Sequence, residues 1–397
     1  LTAPDGRSFR TGDILTIDGS SGQVLSGEPE MLSAQLDDSF QKLMTWADAE
    51  RDIGIRANAD TPEDARAARK FDAQGIGLCR TEHMFFDPGR LTVMREMIFA
   101  QTSSGRAAVL DRLLPMQRED FTQLFRIMEG QPVCIRLFDP PLHEFLPTTR
   151  SGQRELAEAL DLPVSDVERR VDAMSEYNPM LGLRGVRLGV TVPEIYDMQA
   201  QAIFEATLKA SEDGEPVVPE IMIPLVSANR EVELVKARID AVATAVEAEH
   251  GRKFNYRLGV MVETPRACLR ADEIAPHVSF LSFGTNDLTQ MTYGLSRDDA
   301  GRFMSAYVQQ GVFSEDPFHV LDTDGVGELL RLGAERSRNA SPNLTLSICG
   351  EHGGNPESIA FCRDVCFDYV SCSPFRVPVA RLAAAQLAVA HKLGEAR

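Results

Sequence analysis

Short apolar runs, separated by stretches with helical periodicity, recur along the chain from residue 53 onward. They fall near 53–57, 76–80, 133–137, 219–224, 258–263, 279–283, 345–349 and 368–372. Runs of this length read as buried strands, and strands alternating with helical patterns imply a parallel sheet. Eight β/α units over about 350 residues predict an α/β fold, a (β/α)8 TIM barrel, with long insertions at 82–130, 140–216 and 290–340. Segment 182–189 is apolar enough for a ninth strand, but its glycines argue for a loop.

The part before residue 53 has a different texture. Residues 1–30 are rich in Gly, Asp and Ser, and two β-runs around Asp18-Gly-Ser-Ser-Gly22 predict a hairpin. This segment reads as the last piece of another domain. Residues 31–52 form a linker helix, with Met31, Leu32, Leu36, Phe40, Leu43, Met44 and Ala47 near a 3.6 period. The barrel occupies 53–397 and closes on an Ala/Leu-rich helix over 378–392. The chain opens on Leu1 without a signal-peptide pattern and reads as cut from a larger protein.

Composition narrows the chemistry. Hydrophobic residues make up 43% and charged residues 25%, ordinary for a globular protein, and no apolar run approaches the length of a membrane span. A net charge of −18 disfavours nucleic acid and anionic membrane, so an anionic substrate needs a local cationic pocket. The seven cysteines are odd in number and lack paired metal spacing, and Cys362 and Cys366 sit at a helical spacing that suits packing. Thiols in apolar runs predict a reducing, cytoplasmic setting.

The candidate chemistry sits where strands end, as it does in barrels of this kind. Two runs deliver one carboxylate each, Glu263 and Asp287, and two such acids on neighbouring strands can hold one hard cation such as Mg²⁺. Gly284 and Thr285, ahead of Asn286, suggest a tight backbone that offers N–H groups to an anion. Arg80, Arg136 and Arg184 also fall near strand ends, and arginine is suited to bidentate contacts with phosphate or carboxylate. A rim salt bridge is the competing explanation for each of them, and for Arg187 it is the preferred one. Cys372 ends the last run among small residues and is either an inert core thiol or a catalytic one. Glu351 and His352 are candidates for supporting groups, Glu82 and His83 for orienting Arg80, and His143 for a structural role. No phosphate-binding P-loop and no dinucleotide fingerprint is present, nor is a histidine in a Gly-rich loop suited to carrying a phosphoryl group.

Together these motifs resemble the C-terminal phosphoenolpyruvate/pyruvate domain of the pyruvate, phosphate dikinases, within the family of PEP-utilising enzymes. The likeness runs from about 50 to 392 and is carried by Gly75–Phe86, Arg136–Pro147, Gly284–Phe303 and Tyr369–Pro378. Phosphoenolpyruvate synthase and enzyme I of the sugar phosphotransferase system share the shorter motifs and are the alternatives. Residues 1–30 resemble the tail of the family's phosphohistidine domain. The resemblance implies that Arg80, Arg136 and Arg184 grip the phosphoryl group, and that Glu263 and Asp287 bind Mg²⁺. It implies that Gly284, Thr285, Asn286 and Asp287 line the pyruvate site, and that Cys372 protonates C3 of the enolate, with Cys349 as the rival sulfur. It further implies a phosphohistidine domain as partner and a homodimer through the barrel. A Mg²⁺-dependent lyase acting on a CoA thioester would not need three phosphate-gripping arginines. A non-catalytic phosphoenolpyruvate sensor would not need a C3 acid.

Overall fold

The computed structural model describes residues 2–3, 6–18, 23–29, 37–176 and 178–394. The chain divides into two compact units, Leu1–Trp46 and Ala47–Arg397. In the first, β1 (Leu15–Asp18) and β2 (Gln23–Ser26) pair antiparallel, with Leu15 opposite Ser26. These are the two arms of the expected hairpin, and the turn between them lies outside the described residues. The helix Asp38–Glu50 is the later part of the predicted linker helix; Met31, Leu32 and Leu36 of its apolar stripe also lie outside the described residues. The second unit begins within this helix, where Asp48 pairs with Arg51 at 2.7 Å and with Arg381 at 2.5 Å.

The second unit is built on a closed barrel of parallel strands. These are β3 (Gly54–Asn58), β4 (Ile76–Arg80), β5 (Val133–Arg136), β6 (Glu220–Ile223), β7 (Arg257–Val262), β8 (Phe280–Gly284), β9 (Thr345–Cys349) and β10 (Tyr369–Cys372). Neighbours in sequence are neighbours in the sheet, and β10 closes on β3 with Tyr369 opposite Gly54 and Cys372 opposite Ala57. The strands lie where the apolar runs place them, because a barrel strand is buried on both faces and leaves a continuous apolar signature.

The barrel interior is stacked in three storeys. At the N-terminal end of the strands, Glu220 receives Arg56 at 2.6 Å and Arg257 at 2.5 Å, and the Arg56 guanidinium lies 3.9 Å over the Tyr369 ring. The middle storey is apolar: Leu78, Cys134, Met222, Met261, Phe280 and Cys349 form one buried cluster. Gly259 makes room for it, since a Cβ there would stand 2.3 Å from the Phe280 ring. The third storey, at the C-terminal ends, is charged.

Helices wrap the barrel. Pro62–Lys70 starts with a capping box in which Thr61 and Asp64 satisfy each other's backbone N–H groups, and Asn229–His250 stops at Gly251 in the left-handed region. The insertions are helical: Ser103–Ile127 and Glu194–Asp213 pack together, and Gly325–Ala340 packs on the short helices Pro265–Leu269 and Ala271–Ile274. Segment 182–189 corrects the expected loop in part, because Val186–Thr191 is a short helix. Gly185 starts it with φ 56°, and a Cβ there would meet the Leu225 Cβ at 2.6 Å. Among the described residues no helix is long and apolar enough to cross a membrane.

Candidate active site

The C-terminal mouth of the barrel encloses a cavity of about 660 Å³. Strand ends and the turns that follow them supply its wall. Arg80 is the last residue of β4 and Arg136 the last of β5, paired in register across the ladder, so their side chains enter the mouth side by side. Arg184 arrives from the second insertion, just before the Gly185 turn.

Carboxylates hold these guanidiniums in place. Asp139 takes Arg136 at 3.1 Å and Arg184 at 2.5 Å, joining two of the three cations. Glu82 takes the other side of Arg136, and Asp60 accepts from the Arg80 backbone N–H at 2.6 Å and from its guanidinium at 3.3 Å. Burial would raise the Asp139 pKa, but Arg136 and Arg184 hold it below the usual carboxylate range. Arg136 is only 8% exposed and firmly cationic, because Asp139, Glu82, Glu263 and Asp287 outweigh its desolvation. Arg187 instead bonds the carbonyls of Leu181 and Gly182 and stays off the cavity wall.

Glu263 and Asp287 converge as the sequence predicts. Glu263 follows β7, and its carboxylate lies against Gly284, where a Cβ would come within 2.8 Å of Oε2. Its other oxygen accepts the Leu225 N–H at 2.6 Å. Asp287 sits in the first turn of the helix Thr285–Tyr293, accepting from Gln290 at 3.1 Å and from Arg184 at 3.1 Å. Burial, then Asp287 and Asp139, push the Glu263 pKa well up. Two crowded carboxylates of which one resists ionisation form a donor set that a divalent cation relieves. Their oxygens suit Mg²⁺, which takes few protein ligands and leaves positions for water and substrate. Among the described residues no cluster of three or more His, Cys, Asp or Glu forms a fuller metal cage. Glu82 Oε2 and Arg136 Nε are buried there without a partner, so the charged storey is incompletely satisfied.

Of the four residues expected on the pyruvate side, Gly284, Asn286 and Asp287 lie on the cavity wall. Thr285 is expected to offer its backbone N–H, and its side chain points elsewhere. It is fully buried, and its hydroxyl stands 2.7 Å from His352 Nδ1, off the wall. His352 Nε2 faces the Pro317 carbonyl at 3.1 Å, and burial lowers its pKa, so the imidazole is a neutral structural group. His143 is likewise absent from the wall.

Position separates the two sulfurs, and not in the way expected. Cys372 does not line the cavity; its Cβ stands 3.3 Å from where a Cβ on Gly354 would lie, in the packing outside the strands. The cause is the strand alternation: Ser371 reaches across to Asn58 at 2.6 Å, so its neighbour Cys372 turns the other way. Cys349, the last residue of β9, lies on the wall, with Sγ 3.7 Å from the Phe283 carbonyl. Burial raises the pKa of both thiols, that of Cys372 to about 12.

Sequence reasoning passed over three groups at this mouth. Asp60 and Asp139 hold the arginines, and Arg297 bonds Asn286 at 2.8 Å while pairing with Glu351 at 2.7 Å. The oxygen of Asn286 is therefore occupied, and its NH₂ is the group left for the cavity.

A (β/α)8 barrel that gathers arginines and two acids at the ends of its strands is a barrel built to handle an anionic substrate. Comparison with known proteins makes the class particular. The profile of the family described as "PEP-utilising enzyme, PEP-binding domain" matches residues 34–389, and the chain belongs to that family. It is similar to a pyruvate, phosphate dikinase of Rhizobium meliloti (strain 1021), 58% identical over 383 residues, which are 96% of this chain and 43% of that protein. The pyruvate, phosphate dikinase of Clostridium symbiosum is 48% identical over 98% of this chain and 44% of its own length. The chloroplastic pyruvate, phosphate dikinase 1 of Arabidopsis thaliana is 52% identical over 96% of this chain and 40% of its own. The chain thus spans less than half the length of these relatives. A solved citrate lyase of Burkholderia xenovorans LB400 overlaps it with a TM-score of 0.33 at 15% identity, over 49% of this chain and 70% of that one, too slight a likeness to bear on fold or function.

Proposed function

We propose that the barrel mouth is the phosphoenolpyruvate/pyruvate site of a pyruvate, phosphate dikinase. It would carry reversible phosphoryl transfer between pyruvate enolate and a phosphohistidine presented by another domain of the parent protein. The observation that carries this reading is the convergence of Arg80, Arg136, Arg184, Glu263, Asp287 and the Cys349 thiol on one cavity. Close similarity to the dikinases supports it.

Phosphoryl transfer asks a protein for positioning and for neutralisation of charge on the phosphoryl oxygens. Arg80, Arg136 and Arg184 do this, preorganised by Asp60, Glu82 and Asp139. Asn286 presents its NH₂ towards the substrate carboxylate, fixed by Arg297. Glu263 and Asp287 would hold Mg²⁺, which would supply Lewis-acid stabilisation of the negative charge that develops. In the direction of pyruvate formation, the bond from phosphorus to the enolate oxygen breaks and a bond to histidine nitrogen forms. C3 then takes a proton from Cys349 Sγ, and solvent reprotonates the thiolate. A buried thiol is suited to this step because it keeps its proton at neutral pH. Cys349 replaces Cys372 in this role because it is the sulfur on the wall. We place the reaction in the cytoplasm, consistent with the seven free thiols, and expect a homodimer, which light scattering tests.

Calorimetry with phosphoenolpyruvate, with and without Mg²⁺, tests the site; binding that ignores Mg²⁺, or no binding, counts against it. Exchange of the pyruvate methyl protons in D₂O, in enzyme that includes the phosphohistidine domain, tests the acid. Cys349→Ala should abolish exchange while Cys372→Ala retains it, and the reverse pattern would restore the sulfur named from sequence.

A further inference from the structure

His83 stands where the main cavity meets a smaller one of about 140 Å³, walled by Asp60, Met84, Arg90 and Asp120. It lies in the 3-10 turn Thr81–Phe85, directly after β4 and Arg80. Its Nδ1 is 2.8 Å from Asp60 Oδ2. An ionised carboxylate only accepts, so Nδ1 carries the proton. Among the described residues no group pairs with Nε2, and the ring is 50% exposed on the cavity wall. One carboxylate, Asp60, therefore fixes both Arg80 and His83 at the same edge of the mouth.

We propose that His83, as the imidazolium, is a fourth phosphoryl-binding residue, donating Nε2–H to a phosphoryl oxygen beside Arg80 while Asp60 holds the ring through Nδ1. This rests on the cavity being a phosphoenolpyruvate site and deepens that reading. With Nδ1–H committed to Asp60, a neutral ring presents a lone pair at Nε2, which a phosphoryl oxygen avoids; only the cation serves. The surroundings favour the cation. The hydrogen bond to Asp60 is the largest influence, with Glu82 adding to it, and together they outweigh burial and Arg80 and lift the His83 pKa above the usual histidine range. Across the smaller cavity, Arg90 and Asp120 face the ring as a mutually neutralising pair, and on the main-cavity side Arg136 only partly offsets Glu82. A bound phosphoryl group pulls further in the same direction. The contribution is therefore present below the raised pKa of His83 and is lost as pH rises through it.

The test is titration of the chain with phosphoenolpyruvate and Mg²⁺ from about pH 6 to about pH 9, for the parent and His83→Asn. Asparagine reproduces the Nδ1 contact to Asp60 and removes the Nε2 donor. Taking the parent-to-variant ratio at each pH cancels the ligand's own ionisation. The expected result is a roughly tenfold loss of phosphoenolpyruvate affinity at the acid end, the size of one charge-assisted hydrogen bond, shrinking to no difference at the alkaline end. Pyruvate, which lacks the phosphoryl group, should bind both proteins alike and so shows that the variant is folded. His83→Gln, which puts an amide N–H near Nε2, should recover part of the affinity without the pH dependence. Parent-like affinity in His83→Asn, a ratio flat with pH, or an equal loss for pyruvate overturns the inference. Failure of the parent to bind phosphoenolpyruvate at all would instead bring down the reading of the site, and this inference with it.

Discussion

Arginines and carboxylates meet at both ends of the barrel, with opposite results. At the N-terminal end one acid, Glu220, serves two guanidiniums, and none of their buried charged atoms is left unpaired. At the C-terminal end Asp60, Glu82, Asp139, Glu263 and Asp287 crowd against Arg80, Arg136 and Arg184, yet Glu82 Oε2 and Arg136 Nε remain without partners and Glu263 resists ionisation. The same residue types form a rivet at one end and a receptor at the other. The difference is saturation: a network that is complete only stabilises, and one held incomplete by a rigid scaffold awaits a ligand.

Breaking the rivet should produce the largest effect. Glu220→Gln leaves Arg56 and Arg257 facing each other uncompensated and should cost about 3 kcal/mol or more of stability, by the usual penalty for an orphaned buried charge. Phosphoenolpyruvate affinity of the folded fraction should not change. Chemical denaturation alongside ligand titration checks both halves, and a loss of affinity would mean the two ends are coupled. At the other end Arg136→Lys keeps the charge but loses the fork that reaches Glu82 and Asp139. It should remove about 2–4 kcal/mol of transition-state stabilisation, read as kcat/KM, with little change in stability.

A smaller effect distinguishes the two networks by pH. Glu263 has its folded pKa raised above the unfolded value of about 4.3, so its contribution is whole below that value and is lost as pH rises through the folded pKa. The metal-free chain should therefore lose Tm as pH climbs from the ordinary carboxylate range, and Mg²⁺ should flatten the slope. Glu263→Gln should abolish it. A slope that persists in Glu263→Gln would assign the titration to another group. The smallest effect expected is from Asp60→Asn, which keeps an acceptor for Arg80 and His83 but removes the charge behind both. Phosphoenolpyruvate affinity should fall about tenfold, on the order of one hydrogen bond to a charged group.

Much of this architecture was legible in the chain. Eight apolar runs became eight strands because barrel strands are buried on both sides, and Arg80, Arg136, Glu263 and Asp287 were found because strand ends fix where side chains emerge. The same two-sided burial hid the choice between Cys349 and Cys372. Both end apolar runs, and with no polar alternation nothing in the sequence says which faces the axis. The bond from Ser371 to Asn58 on the adjacent strand, which sets the facing, is visible only in the structure. Asp60, Asp139 and Arg297 went unnoticed because two sit in loops and the third opens a four-residue helix, too short for periodicity to carry a signal, and their partners are distant in sequence. The direction of the Thr285 side chain was hidden for a related reason: it begins a helix, and consecutive helix positions point in different directions.

The carboxylate shared by Arg136 and Arg184 has a kinetic consequence. An anion arriving at the mouth meets guanidiniums that are already largely dehydrated and already steadied by Asp139, so it shares them with that carboxylate and little water is left to strip. On departure the cations keep Asp139 as their partner. Entry and exit are thereby levelled, with neither a deep well for the incoming anion nor a steep climb for the outgoing one. A site whose grip is shared in this way would suit a reaction that runs in either direction, with supply and removal of material deciding which.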